Sequence, residues 1–133
     1  MSDIVTADTP FGKIVILVCD DAYTYDTQVL DKVKTLHPDF VIVPWGITAG
    51  VPETPPYNCG SDGFNATGYA ATAANYVGFG TVFGANGVGP RDYGRFLPSE
   101  YCGTSGYAVA NGASVEAPNP TQELFFFNLP RVH

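Results

Sequence analysis

The stretch Lys13-Ile14-Val15-Ile16-Leu17-Val18-Cys19 decides the fold class of this sequence. After Lys13 it runs through apolar, mostly β-branched residues with no polar residue alternating between them. An uninterrupted apolar run of this length is typical of a strand that is covered on both faces, usually in a parallel or mixed sheet. We therefore predict a buried strand over residues 13–19.

The residues after this strand change from a strand pattern to a helical one. Val29, Val33 and Leu36 recur at i, i+4 and i+7, so they form one apolar stripe of a helix over residues 25–36. A second apolar run, residues 40–45, follows. Strand, helix and strand in this order predict a right-handed βαβ unit with two parallel strands.

The remainder of the chain adds one helix and several strands. We predict an Ala-rich helix over residues 65–76, strands over 81–85 and 123–129, a hairpin around Asn111-Gly112, and two long loops over 46–63 and 86–102. The expected fold is α/β, a mixed β-sheet with about two helices on one face. A chain of 133 residues holds a single domain, 1–133.

The charge balance restricts the kinds of partner. Six Lys and Arg against thirteen Asp and Glu give a net charge of −7, so nucleic acid and anionic membrane surfaces are poor partners. No run reaches the ~20 apolar residues of a membrane span. The start of the chain lacks a basic region followed by an apolar stretch, so we expect no signal peptide and a cytoplasmic protein, a mature secreted form remaining the alternative.

Three cysteines, Cys19, Cys59 and Cys102, fit no zinc-ligand spacing and no CxxC motif. We therefore expect no zinc site, and Asp20, Asp21 and Asp26 lack the regular spacing of cation ligands, so we expect no metal. The Gly-x-Gly triplets within residues 78–89 read as turn and strand-end glycines and not as a phosphate cradle, so we expect no cofactor either. Cys59 and Cys102 both lie in predicted long loops, where they pair if the protein is exported and remain thiols in a reducing compartment.

Cys19 is the candidate catalytic residue, because it ends a predicted strand and precedes the polar turn that leads into a helix. In open α/β sheets, ligands bind beyond the carboxyl ends of the strands. Backbone N–H groups at a helix start favour a thiolate, whereas the neighbouring carboxylates oppose it. The alternative is a buried structural cysteine. Trp45 ends the next strand and Gly46 begins the loop that follows it, and we predict that both residues contact the substrate.

Residues 9–21 resemble the nucleophile strand of the carbon–nitrogen hydrolase (nitrilase) superfamily. In that family a Pro-x-Gly-[Arg/Lys] turn, here residues 10–13, precedes an apolar strand that ends in Cys-x-[Asp/Glu], here residues 19–21. Further matches to the C-terminal half of the family follow in order along the chain: residues 69–75, 82–86, 103–105, 111–112 and 124–129. The resemblance implies half of an αββα sandwich.

The resemblance also implies a reaction, the cleavage of a non-peptide C–N bond in an amide or nitrile. The thiolate of Cys19 would attack the amide or nitrile carbon, and the backbone N–H of Asp20 would donate to the developing negative charge. Asp21 matches the family's acidic position, either as an orienting residue or only as a helix-capping acid. Amidase activity of this chain is thus one hypothesis; a non-catalytic binding or structural protein is the other.

Two features of the family are missing from this sequence. Its general-base Glu and its oxyanion-stabilising Lys lie upstream of the cysteine, and no residue here matches either position, so we expect the monomer to be a poor amidase. The second sheet is missing too. Leaving ~600 Å² of apolar surface in water would forgo ~15 kcal/mol. We therefore expect a partner, either a second copy in a homo-oligomer or a complementary chain that resembles the N-terminal half.

Overall fold

The structure is a computed structural model, and it describes residues 4–47, 66–86, 88–91, 99–102 and 104–117. The elements in chain order are β1 (Val5–Thr9), β2 (Gly12–Ile16), a short 3-10 helix (Cys19–Ala22), α1 (Gln28–Leu36), β3 (Phe40–Trp45), α2 (Ala66–Val77), β4 (Thr81–Asn86), β5 (Val88–Arg91), β6 (Ser99–Cys102), β7 (Gly106–Val109) and β8 (Ser114–Glu116).

The described strands form a six-stranded sheet in the order β1-β2-β3-β4-β7-β8 and a separate two-stranded sheet, β5-β6. The neighbours β2, β3 and β4 are parallel, whereas β1, β7 and β8 pair antiparallel. The predicted α/β class and the mixed sheet with two helices are therefore confirmed. Among the described residues, no helix is both long and apolar enough to cross a membrane.

Several elements differ from the prediction. The first predicted strand, 13–19, is β2 and ends at Ile16, because the chain turns into the 3-10 helix at Cys19. Residues 5–9 form an edge strand antiparallel to β2, although they are mostly exposed and carry no apolar pattern that would predict a strand. The predicted loop 86–102 contains β5 and β6. Helix α1 begins at Gln28 and not at residue 25, because the chain first makes the 3-10 turn and the Asp26 carboxylate then accepts the Gln28 N–H at 3.2 Å. The predicted strand 123–129 and most of the loop 46–63 lie outside the described residues.

Both helices cover the same face of the sheet. Leu30 and Val33 of α1 are fully buried, and α2 presents a row of alanines that lets it approach the strands closely. These side chains share one core with alternate residues of the central strands, namely Val15, Leu17, Val41, Val43, Trp45 and Val82. The helix face of the sheet is thus closed by the chain itself.

The opposite face is apolar as well. The strand register aligns one row of side chains across all six strands: Val5, Ile16, Ile42, Phe83, Tyr107 and Val115. Val5 is 60% exposed, Ile16 41% and Ile42 37%, whereas Tyr107 is buried. The two-sided apolar character of β2 and β3, which the sequence predicted, therefore leaves large aliphatic side chains in water on this face.

Candidate functional site

The candidate site lies at the edge of the sheet where the three parallel strands end. Cys19 follows β2, Trp45 ends β3 and Asn86 ends β4, and because these strands are parallel neighbours their carboxyl ends meet. Helix α2 begins at the same edge, where the Ala66 N–H donates to Thr104 Oγ1 at 2.8 Å. This is the edge at which open α/β sheets bind ligands.

Cys19 has an unusual backbone conformation for a non-glycine residue. Its φ is 44°, in the left-handed region that costs an L-residue about 1–2 kcal/mol. The turn is held by its neighbours: the Asp21 N–H donates to the Val18 carbonyl at 3.0 Å, and the Val18 N–H donates to Asp21 Oδ2 at 3.2 Å. Strained backbone at a strand-to-helix turn is a recurrent property of functional sites. The thiol is partly exposed.

The two acidic residues after Cys19 have different environments. Among the hydrogen bonds of the described residues, none uses the backbone N–H of Asp20, the group predicted to stabilise an oxyanion. The Asp20 carboxylate lies beside the thiol, with Oδ1 4.0 Å from Cys19 Sγ. Asp21 is engaged with the Val18 N–H, which is the capping contact weighed for it from the sequence. An orienting role of Asp21 towards the thiol stays a prediction.

Four aromatic rings gather next to Cys19, and we call them the aromatic cluster: Tyr23, Tyr25, Trp45 and Tyr69. The ring of Tyr23 is central; its centroid lies 5.2 Å from that of Tyr25, 5.2 Å from that of Trp45 and 4.7 Å from that of Tyr69. Trp45 and Tyr69 also contact each other, at 5.7 Å. Aromatic walls of this kind provide the apolar surface of small-molecule sites.

Trp45 and Gly46, the predicted substrate contacts, follow β3 at this edge. The Trp45 side chain is buried in the aromatic cluster, and its Nε1 has no hydrogen-bond partner among the described residues. Gly46 is exposed, with open space where a Cβ would stand. The next residue, Ile47, is fixed by Asn86, whose Oδ1 accepts the Ile47 N–H at 3.0 Å and whose Nδ2 donates to the Ile47 carbonyl at 2.9 Å. Substrate contact by Trp45 and Gly46 stays a prediction.

The charges around the aromatic cluster are negative. Burial raises the pKa of Tyr23 from 10.0 to about 12, and the negative charges at Cys19 and Asp20 add to the effect. The pKa of Tyr25 is raised too, by desolvation first and then by the charges of Asp20, Cys19 and Asp26. No group of three or more metal-ligating side chains occurs within the described part of the chain.

The raised pKa of Tyr23 predicts a loss of stability in alkali. Below pH 10 this phenol is protonated in both the folded and the unfolded chain; above pH 10 the unfolded chain releases the proton first, so unfolding is favoured progressively up to about pH 12. We expect Tyr23→Phe to flatten the dependence of the melting temperature on pH in this range. Thermal unfolding followed by circular dichroism measures it, with Tyr76→Phe as the control; parallel slopes in wild type and Tyr23→Phe would contradict the assignment.

Sequence reasoning placed Cys19, Asp20, Trp45 and Gly46 at one edge of the sheet, and the structure brings all four there. Sequence reasoning did not predict that the four residues of the aromatic cluster lie together. Tyr69 lies within the predicted Ala-rich helix, Tyr23 stands in the polar stretch after Cys19, and Tyr25 starts the predicted helix over residues 25–36, so no local pattern connects them. The four rings come together because α2 packs against the 3-10 helix. No local sequence pattern predicts that packing.

Comparisons with known proteins show a likeness of fold. No family model matches this chain, and no curated protein sequence is similar to it. Thirty-one chains of solved structures are similar. One is glutamine-dependent NAD+ synthetase from Acinetobacter baumannii in complex with ADP, which matches with a TM-score of 0.66 at 19% sequence identity. The match covers 94% of this chain and 21% of the synthetase, so the chain spans about a fifth of that protein.

Proposed function

We propose that this protein is a cysteine-dependent hydrolase of the nitrilase type, which cleaves the C–N bond of a small amide or nitrile in a site completed by another chain. The observation that carries the proposal is the backbone of Cys19. Its left-handed conformation presents a partly exposed thiol at the carboxyl edge of the parallel strands, next to the uncommitted N–H of Asp20.

The reaction uses the thiolate as a nucleophile. For an amide, the sulfur attacks the carbonyl carbon, the C–N bond breaks, and the amine leaves with a proton to give a thioester; for a nitrile, the sulfur and a proton add to give a thioimidate. Water then resolves the intermediate and releases the thiol. The Asp20 N–H would donate to the oxyanion that forms in the amide reaction, and the aromatic cluster would bind the apolar part of the substrate.

Another chain would supply the groups that the sequence lacks. The resemblance to the nitrilase superfamily implies a general-base Glu and an oxyanion-stabilising Lys, which no residue of this chain matches. The carboxylate of Asp20 lies beside the Cys19 thiol, with Oδ1 4.0 Å from Sγ, and Asp21 and Asp26 are exposed nearby in the chain. A lysine from a partner would therefore enter surroundings of opposite charge, which supports completion of the site from outside.

The structural comparison supports the fold on which this chemistry would be built. Glutamine-dependent NAD+ synthetase is a member of the carbon–nitrogen hydrolase superfamily. The likeness, at 19% identity, concerns the fold alone, and the assignment of the nucleophile to Cys19 rests on the sequence motif of residues 9–21 and on the site geometry.

A second candidate function is a non-catalytic binding or structural role on the same half-fold. The observation in its favour is the apolar sheet face, where Val5 and Ile16 are 60% and 41% exposed. A protein that only associates would use this face and leave Cys19 unreactive. The reactivity of the thiol therefore discriminates between the two functions.

The test is the alkylation rate of Cys19 by iodoacetamide at about pH 6.5 in the assembled protein. An activated thiol should react at least ~10-fold faster than free cysteine, because only the thiolate is nucleophilic. A Cys59→Ser/Cys102→Ser variant leaves Cys19 as the sole thiol, and Cys19→Ser in the otherwise unchanged chain provides the matched control. Mass spectrometry locates the label. Alkylation of Cys19 no faster than that of free cysteine would refute the hydrolase and leave the binding role.

A further inference from the structure

The face of the sheet opposite the helices is largely apolar, and we call it the open face. It contains the row Val5, Ile16, Ile42, Phe83, Tyr107 and Val115, and the same register adds Ala7, Ile14, Phe40, Pro44, Thr81, Ala85 and Val109. Thr81 and Tyr107 are buried, so the solvent-exposed part of the face lies mainly on β1, β2, β3 and β8. Val18, two residues after Ile16, continues the alternation of buried and exposed residues beyond β2. Five of these aliphatic side chains are strongly exposed: Val5, Ile16, Val18, Ile42 and Val115. Phe83 contacts Phe40 and Tyr107 at ring-centroid distances of 6.1 and 5.9 Å, so the aromatic side chains lie on the same face.

Among the described strand residues of the six-stranded sheet, no charged side chain lies on the open face. Asp8 and Lys13 pair with each other across β1 and β2 and belong to the other face, where Lys13 Nζ donates to the Leu36 carbonyl of α1 at 3.1 Å. Glu116 pairs with Gly106, which lies against Thr67 of α2, and so it also belongs to the helix side. Within the described strands, a chain of net charge −7 thus keeps this sheet face uncharged.

The open face leaves aliphatic side chains in contact with solvent. Val5 and Val18 are 60% and 59% exposed, Ile16 is 41% exposed, and Ile42 and Val115 are 37% exposed. Contiguous exposed apolar side chains of this kind mark surfaces at which proteins associate. Two twisted sheets pack face to face at about −30°, with their side chains interdigitating, so a second sheet fits this surface.

We infer that the open face binds a second copy of this chain, in a symmetric dimer in which the two sheets stack. In a two-fold contact every side chain near the axis meets its own counterpart, so a charge there would face a like charge. Two chains of charge −7 repel each other overall, and a contact surface without charges adds no like-charge pair to that repulsion. This inference goes beyond the proposed hydrolase and does not depend on the chemistry of Cys19.

The dimer would also place the partner copy next to the candidate site. Val18 belongs to the open face and is 59% exposed, and it directly precedes Cys19 in the chain. A copy that covers Val18 therefore lies one residue from the nucleophile. Dimer formation would shield that edge of the site from water.

The test is the oligomeric state of the full chain, measured by analytical ultracentrifugation at micromolar concentration. Wild type should sediment as a dimer. Ile42→Lys and Ile42→Glu, each on the exposed row of the central strand β3, should raise the dimer dissociation constant at least ~100-fold, because like charges then face each other near the axis. An equimolar mixture of the two variants should restore the dimer, because Lys then faces Glu.

Two control variants complete the experiment. Phe11→Lys, at an exposed turn away from the open face, should leave the dimer unchanged, and so should Cys19→Ala, which separates dimer formation from the proposed activity. Circular dichroism monitors folding; if the Ile42 pair fails to fold, the same charge pair at Ile16 replaces it. A compact wild-type monomer, a dimer indifferent to these charges, or monomeric variants that do not recombine on mixing would each overturn the inference.

Discussion

Replacing Gly106 by alanine should lower the free energy of unfolding by ~3 kcal/mol or more, which is among the largest effects expected for a single methyl group. Gly106 begins β7, where α2 and the hairpin partner β8 both approach its backbone. A Cβ at this position would overlap the Val115 carbonyl oxygen and Thr67 Oγ1, and it would stand 2.9 Å from the Glu116 Cα. Two of these neighbours are backbone atoms, which cannot move without breaking the β7–β8 pairing.

Denaturant unfolding followed by circular dichroism measures this effect. Gly46→Ala is the matched control, because nothing lies within 4 Å of the position of its Cβ; its free energy of unfolding should stay within ~0.5 kcal/mol of wild type. Since the steric conflict lies between α2 and the β7–β8 hairpin, Gly106→Ala should also expose amides of that hairpin to hydrogen exchange. Equal stabilities of the Gly106 and Gly46 variants would show that this close packing does not exist in solution.

The sequence predicted the central part of the fold because several local signals agree there. The apolar runs that became β2 and β3, the i, i+4, i+7 stripe of α1 and the Ala-rich α2 each carry a pattern that has one interpretation. Asn111-Gly112 likewise predicted the hairpin, and the structure places β7 and β8 on either side of it. Parallel pairing then follows from the order of the elements.

The elements that sequence reasoning missed are stabilised by non-local pairing. Strand β1 is an exposed edge strand held by its register with β2, from Val5 opposite Ile16 to Thr9 opposite Gly12. The alternation Val5-Thr6-Ala7-Asp8 is only four residues long and contains one large apolar residue, so it is too weak to predict a strand. Strands β5 and β6 pair antiparallel with each other and form a sheet of their own. An edge strand of this kind has no hydrophobic period to detect.

For the candidate site, the sequence predicted the place of Cys19 but not its conformation. A cysteine at a strand end predicts an edge position; the left-handed φ of 44° results from the contacts of Val18 and Asp21 around it. The aromatic cluster and the register row of the open face also arise only when distant segments pack, since residues 5 to 115 contribute to that row. The periodicity of a local sequence does not determine the register between strands that lie far apart along the chain.

Replacing Cys19 by alanine should reduce hydrolysis of a responsive amide or nitrile by at least ~10³-fold, because the proposed reaction passes through a covalent bond to its sulfur. Cys19→Ser keeps a nucleophilic atom in place but in a hydroxyl that is barely ionised, so it should retain little more activity than alanine. Ammonia release from a panel of small amides and nitriles, assayed with the assembled protein and any co-purifying chain, measures the rates.

Detection of the thioester or thioimidate tests directly whether the sulfur of Cys19 is the nucleophile. During turnover, intact-mass spectrometry should detect an adduct on wild type and on Cys102→Ser, the control that keeps the nucleophile, and none on Cys19→Ala. The alanine variant should fold as well as wild type, because the side chain is partly exposed and its removal leaves little cavity. A folded Cys19→Ala protein that hydrolyses the same compounds at the wild-type rate would rule out Cys19 as the nucleophile.

The backbone strain at Cys19 is the reason to expect that the alanine variant loses activity. A left-handed cysteine costs stability in every folded molecule, and a thiol that only filled space would gain nothing from that conformation.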